Sequence, residues 1–252
     1  MLGAIDLNSD LGEGAGTDAQ LMPLISSANI ACGGHAGDES TMSATVALAR
    51  RYSVAVGAHP GYPDRENFGR DPIAMDPDAL SEEIARQIRA LRAVDPDLKI
   101  SHVKAHGALY NQAWHDKTIA KAIVAGVRKV FTARTDVALF AAPKSALAEA
   151  ALAGGLRVVR EGFADRAYEK DGTLRSRKLP GALHTDPKLA AKQALSFARD
   201  GGVHAHDGSF LKMAVDTLCI HGDTPGAPEI GAAVREALIG AGVKVRAAII
   251  WP

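Results

Sequence analysis

The sequence predicts an α/β protein, a single domain over residues 1–252 folded as a parallel βα barrel, and two observations predict it. Short apolar runs ending in polar or glycine-rich residues alternate with longer stretches of helical period, seven or eight times along the chain, as repeated βα units do. Polar residues then gather at the C-terminal ends of at least five of those runs. An open doubly wound sheet, the alternative, concentrates ligand chemistry at one switch point, whereas a barrel brings every strand end around one mouth. The spread favours the barrel.

Taken in order, the first strand is expected over 4–10, with a helix over 18–26. The second covers 27–32 and closes on Gly33-Gly34-His35; residues 39–52 have helical composition. The third, 54–59, runs into 60–70, a loop so rich in Gly and Pro that it is irregular, and long loops in compact domains are usually functional. Asp76-Pro77 supplies an N-cap and first-turn proline for a helix to about 93. Residues 100–104 form the fourth strand, 116–131 an amphipathic helix, and 137–142 a fifth strand apolar on both faces. A helix over 144–153 stops at Gly154-Gly155. The sixth strand is 157–161, and the polar stretch 170–178 reads as a mobile surface excursion or lid. Thr185-Asp186-Pro187 caps a helix to about 199. The seventh strand, 217–221, precedes a helix over 227–239, and 243–250 offers a last short strand.

Bulk composition narrows the partners. With 29 basic and 29 acidic residues the formal charge is zero, so no electrostatic footprint for nucleic acid or an anionic membrane is present. Aromatic content of 5% argues against a stacking platform for bases. Cys32 and Cys219 sit far apart in apolar runs and read as reduced core thiols, which places the protein in the cytoplasm. No apolar run approaches the roughly 18 residues of a membrane span.

The chemistry centres on His102-Val103-Lys104-Ala105-His106-Gly107. Residues two apart in an extended chain share a face, so His102, Lys104 and His106 point the same way, and burying three titratable groups unpaired is costly. In Asp6-Leu7-Asn8-Ser9-Asp10 the polar side chains alternate toward the barrel axis, where they orient a water or supply an acid or base. His35, His59, His106 and His221 come from four strands and serve either proton transfer or metal ligation. The acidic first strand with His102 to His106 loosely resembles the Asp-His-His set of divalent-metal deacetylases, but no H-E-x-x-H or paired CxxC is present and no tightly bound metal is expected. Lys104 is either a Schiff-base nucleophile or a cation for developing negative charge; Arg70 and Arg166 are loop cations for a carboxylate or phosphate. No G-x-x-x-x-G-K-[ST] occurs, so ATP binding by this chain alone is not indicated, and no G-x-S-x-G argues against a serine hydrolase.

These residues fall into blocks. Asp6-Leu7-Asn8-Ser9-Asp10-Leu11-Gly12-Glu13, Ala28-Asn29-Ile30-Ala31-Cys32-Gly33-Gly34-His35-Ala36-Gly37-Asp38, Gly57-Ala58-His59-Pro60-Gly61-Tyr62-Pro63-Asp64, Phe68-Gly69-Arg70, Val103-Lys104-Ala105-His106-Gly107-Ala108-Leu109-Tyr110-Asn111, Glu161-Gly162-Phe163-Ala164-Asp165-Arg166-Ala167-Tyr168 and Cys219-Ile220-His221-Gly222-Asp223 resemble, in order, the signature blocks of the LamB/YcsF family. One departure is Ala105, where the family pattern usually has proline. The resemblance implies a seven-stranded barrel of the glycoside hydrolase/deacetylase type. It also implies the A subunit of an ATP-dependent 5-oxoprolinase, which opens 5-oxo-L-proline to L-glutamate with B and C subunits, with ATP and its Mg handled together with those partners. Asp10, His59, Lys104 and His106 are then expected to be catalytic; Asp6, Asn8, Asn29, His35, Arg70, Arg166, His221 and Asp223 are expected to bind substrate. The rival readings are a stand-alone divalent-metal deacetylase or amidohydrolase and a non-catalytic pyroglutamate-binding subunit.

Overall fold

The computed structural model describes residues 3–132 and 137–249. In chain order the elements are β1 (Ala4–Leu11), α1 (Asp18–Leu21), β2 (Ser27–Ala31), α2 (Glu39–Tyr52), β3 (Ala55–His59), α3 (Pro77–Ala93), β4 (Ile100–Lys104), α4 (Gly107–Gln112), α5 (Lys117–Arg128), β5 (Ala138–Ala141), α6 (Ala146–Ala153), β6 (Arg157–Phe163), α7 (Pro187–Asp200), β7 (Gly202–His204), β8 (Phe210–Lys212), β9 (Thr217–His221), α8 (Ala227–Gly240) and β10 (Lys244–Val245). Strands β1 to β6 and β9 pair in parallel in that order, and β9 pairs back onto β1 from Asp6↔Thr217 to Asp10↔His221. That last ladder closes the sheet. The result is a seven-stranded barrel, and the open-sheet alternative is excluded.

Local sequence sets the helix starts. Asp38 and Thr41 form a reciprocal capping box on α2; Asp76, Asp116 and Asp186 accept from first-turn N–H groups of α3, α5 and α7, with proline entering the first turn of α3 and α7. The expected helix over 18–26 is shorter: α1 ends at Leu21 and Met22–Leu24 is a 3-10 turn, because Pro23 has no N–H to continue an α-helical ladder. Two elements are not visible in the sequence pattern. Helix α4 starts directly at Gly107, although a glycine there reads as a break, and the β7–β8 hairpin is too short and too exposed to show a period. The expected last strand over 243–250 is only Lys244–Val245, pairs with the start of β1 outside the closed ring, and its residue 250 lies outside the described residues. Among the described residues no helix is long and apolar enough to cross a membrane.

The barrel interior is polar to an unusual depth. Asp6, Asn8, Asn29, His102, Lys104, Glu161 and Thr217 are all at most 2% exposed. Each is paired. At the lower end Asp6 accepts hydrogen bonds from the hydroxyls of Ser26, Ser27 and Thr217 at 2.6–2.8 Å. Above it Asn8 donates to Glu161 and Thr217, and Asn29 donates to Asn8 and Asp10. His102 meets the Asn29 side-chain oxygen at 2.7 Å and stacks on Phe140. Gly57 makes room for that ring, since a Cβ there would collide with His102 Nε2. The apolar core lies outside, between strands and helices, with the α3–α5, α5–α6 and α7–α8 pairs packed around the ring.

Burial raises the Asp6 carboxyl to about 6, against three hydroxyl donors that favour the anion. A carboxyl raised in the folded state contributes stability that is present below its ordinary value and lost as the pH climbs through the raised one. Asp6→Asn removes that dependence. The stability of the parent protein relative to Asp6→Asn is expected to fall by on the order of 2–3 kcal/mol between about pH 4 and about pH 7.5, measured by urea unfolding of both. A difference that stays flat with pH overturns the assignment.

Candidate active site at the barrel mouth

The C-terminal strand ends open into a cleft of about 470 Å³, a volume suited to a small ligand. Asp10 and Lys104 on its floor belong to an ion-paired triad completed by Glu161 beneath them. Lys104, the last residue of β4, places Nζ 2.9 Å from Asp10 Oδ1 on β1 and 3.0 Å from Glu161 Oε1 on β6. Burial opposes the ammonium, but the Asp10 carboxylate and its neighbours outweigh burial and hold Lys104 well above the ordinary lysine range. Lys104 is therefore a fixed cation, and the Schiff-base alternative loses its free amine. Burial likewise opposes the Asp10 anion, and the charges of His59 and Lys104 hold it well below the usual carboxylate range.

One wall carries imidazoles. His59 ends β3 and His106 is the N-cap of α4, with His35 from the loop after β2 and Glu13 from the loop after β1 closing the group. His59 Nδ1 donates to the Lys104 carbonyl (2.8 Å) and His106 Nε2 to the Phe68 carbonyl (2.9 Å). The loop after β3 is stitched beneath them. His106 N–H donates to Pro60 O, Ala108 N–H to Gly69 O, and the buried Gln87 amide of α3 exchanges two hydrogen bonds with Gly61. Gly107, at φ +53°, allows this closeness, because a Cβ there would stand 2.5 Å from Gly69 O.

The opposite wall is cationic and aromatic. Arg166 is buried along the cleft, its Nη2 donating to the Arg175 carbonyl and its Nε without a partner among the described residues. Burial and the charge of nearby Arg177 lower it to about 10, which leaves it a cation at neutral pH. Gln193 of α7 donates to the carbonyls of Phe163 and Arg166 and so fixes this loop. Arg70 and Arg177 both pair with Asp223 across the mouth. His221 is held by Asp165, which accepts from its Nδ1 and main-chain N–H and from Thr224.

Eight expected site residues line the cleft: Asp10, His59, Lys104, His106, Arg70, Arg166, His221 and Asp223. Four do not. Asp6, Asn8 and Asn29 lie lower in the barrel with their polar atoms committed to interior partners, and His35 sits behind His106. The stretch 170–178, expected as a surface excursion or lid, borders the cleft. Tyr168 bridges Leu174, Arg175 pairs with Glu169, and Thr173 to Lys178 form part of the cleft wall. Sequence reasoning missed Glu13, Glu161 and Asp165. The signal for Glu161 was an acidic residue at the buried end of an apolar strand; Glu13 was masked by its glycine neighbours.

Comparison with known proteins follows the same outline. The family model described as LamB/YcsF family matches residues 5–250. The chain belongs to the LamB/YcsF family. Among LamB/YcsF relatives, a protein of Chloroflexus aggregans named as the A subunit of 5-oxoprolinase is 47% identical over 250 residues, 96% of this chain and 98% of the relative. One of Rhodopseudomonas palustris with the same name is 49% identical over 249 residues, 96% of each. The crystal structure of a lactam utilization protein from Thermus thermophilus superposes with a TM-score of 0.89 at 44% identity, covering 97% of this chain and 99% of that one. A T48 deacetylase solved with substrate, 13% identical at a TM-score of 0.50 over 96% of this chain and 86% of that one, shares the fold alone.

The triad generates a prediction for stability in this LamB/YcsF protein. Lys104→Met leaves two buried carboxylates facing each other and is expected to cost about 3–5 kcal/mol of unfolding free energy. Adding Glu161→Gln should recover at least about 1 kcal/mol by removing one of those charges. Urea unfolding of the single and double variants checks this; a double variant no more stable than Lys104→Met overturns the coupling.

Proposed function

We propose that this chain is the A subunit of a 5-oxoprolinase, which hydrolyses the lactam of 5-oxo-L-proline to L-glutamate with ATP hydrolysis, acting with B and C subunits. The observation that carries this is the cleft itself. It is small, walled by arginines and floored by a fixed ammonium, which suits a small anionic lactam, and it belongs to a chain that matches relatives of that name along almost its whole length. ATP and its Mg enter as substrate shared with the partner subunits.

The chemistry asked of the site follows from the substrate. An unstrained lactam is a poor electrophile, so transfer of the γ-phosphoryl group to its carbonyl oxygen gives the carbon a leaving group. Water then adds to that carbon, the ring C–N bond breaks with its electron pair passing to nitrogen, and nitrogen takes protons to become the α-ammonium of glutamate. A second water releases the phosphoryl group as phosphate. Asp10, anionic and facing the cleft beside His59, is placed to orient the attacking water. Lys104, the cation on the cleft floor, would stabilise the negative charge that develops on the oxygen. Arg166, whose Nε has no partner among the described residues, would receive the substrate carboxylate.

Glutamate release from 5-oxoproline, ATP and magnesium is expected only when this chain is mixed with its B and C subunits. Release by the chain alone without ATP would replace this reading with a stand-alone amidohydrolase. In the assembled enzyme, Arg166→Met is expected to raise KM for 5-oxoproline by roughly 10- to 100-fold while kcat changes less, the cost of one charge-assisted contact. An unchanged KM removes the carboxylate role.

A further inference from the structure

We infer that Glu13, His59 and His106 form a binding site for one divalent transition-metal ion on the wall of the cleft. A main-chain carbonyl only accepts hydrogen bonds, so an imidazole nitrogen facing one carries the proton. His59 Nδ1 faces the Lys104 carbonyl at 2.8 Å, and His106 Nε2 faces the Phe68 carbonyl at 2.9 Å. In the neutral rings the lone pairs therefore sit on His59 Nε2 and His106 Nδ1, and these two atoms face each other at 3.0 Å. Glu13 Oε1 completes the triangle, 3.2 Å from His106 Nδ1 and 3.6 Å from His59 Nε2. Two lone pairs and a carboxylate at such separations repel unless a proton or a metal ion lies among them.

Metal geometry fits that position. Donor atoms about 2.0–2.1 Å from a tetrahedral zinc stand roughly 3.3–3.4 Å apart, and the three separations of 3.0, 3.2 and 3.6 Å bracket this value. Anchoring each imidazole through its other nitrogen to a carbonyl oxygen is the arrangement that orients metal-ligating histidines. Two imidazoles and one carboxylate suit zinc, manganese or ferrous iron better than magnesium or calcium. All three residues also line the cleft, so the remaining coordination positions face it.

His35 belongs to the cluster but does not ligate. Its ring stacks on His106 with centroids 3.6 Å apart and planes 2° apart, and an ion in the plane of one ring lies outside the plane of the other. Its Nε2, 3.0 Å from Glu13 Oε1, instead holds the carboxylate in place. His35 is a positioning residue.

The inference stands on ring geometry and is independent of the lactam reading, so the test uses no substrate. Chelator-treated protein is titrated with Zn²⁺ by calorimetry and with Co²⁺ by visible absorption. One equivalent is expected to bind with micromolar or tighter affinity, with the d–d bands of a four- or five-coordinate Co²⁺. Glu13→Gln and His59→Gln, each checked for native circular dichroism, should weaken binding by roughly 100-fold, and His35→Gln by about 10-fold. No stoichiometric binding of either ion to the parent protein overturns the site, as does undiminished binding in both folded ligand variants. Should the variants not fold, the Co²⁺ spectrum of the parent protein decides alone: bands support the site, their absence overturns it. Metal binding without glutamate release would defeat only the lactam reading, and full glutamate release by protein that binds no metal would defeat only this one.

Discussion

The interior of this barrel depends on one buried charge arrangement, the Lys104 ammonium held between Asp10 and Glu161. Three strands that are distant in sequence, β1, β4 and β6, meet at that point. A single buried ion is strongly disfavoured, so each partner makes the others tolerable and any one lost leaves the rest exposed to the full desolvation cost. Asn8 and Asn29 extend the network downward by donating to Glu161, Asn8 and Asp10. Strands β1, β2, β4, β6 and β9 are thereby tied by polar contacts across the axis, while the outward faces of the barrel pack apolar side chains against the helices.

The same logic explains how the mouth is held open and ordered. Side chains at strand ends are oriented through main-chain carbonyls of neighbouring strands and loops: Lys104 for His59, Phe68 for His106. The backbone is a more rigid partner than a long side chain, and it fixes the tautomer as well as the ring. Gln87 and Gln193, both buried amides on helices, do for the loops what the carbonyls do for the rings. The geometry of the mouth rests on amides set back from the cleft lining.

How much of this was legible in the sequence follows from the range of each interaction. The strands and most helices were readable because alternation and capping are local: Asp76-Pro77 and Asp186-Pro187 mark helix starts by themselves. The residues gathered at the mouth were readable because a barrel collects strand ends, which places Asp10, His59, Lys104 and His221 together on pattern alone. Depth was not readable. Asp6, Asn8 and Asp10 share a face, and only the closure of the ring decides that Asp10 reaches the cleft while Asp6 faces three hydroxyls below it. Glu161 was hidden for the same reason, since its meaning comes from Lys104, 57 positions away in a strand two places round the ring.

The three arginines at the mouth are held in two different ways. Arg70 and Arg177 spend their charge on a shared carboxylate, Asp223, which ties the loop after β3 to the segment after β6 across the opening. Arg166 is different. It is buried, it sits close enough to Arg177 to be disfavoured as a cation, and its Nε has no partner among the described residues. A buried guanidinium with an unfilled donor is costly until an anion arrives, and planar donors match a carboxylate better than a point charge does. Arg166 is thus held in the cleft wall by a main-chain carbonyl and not by a carboxylate.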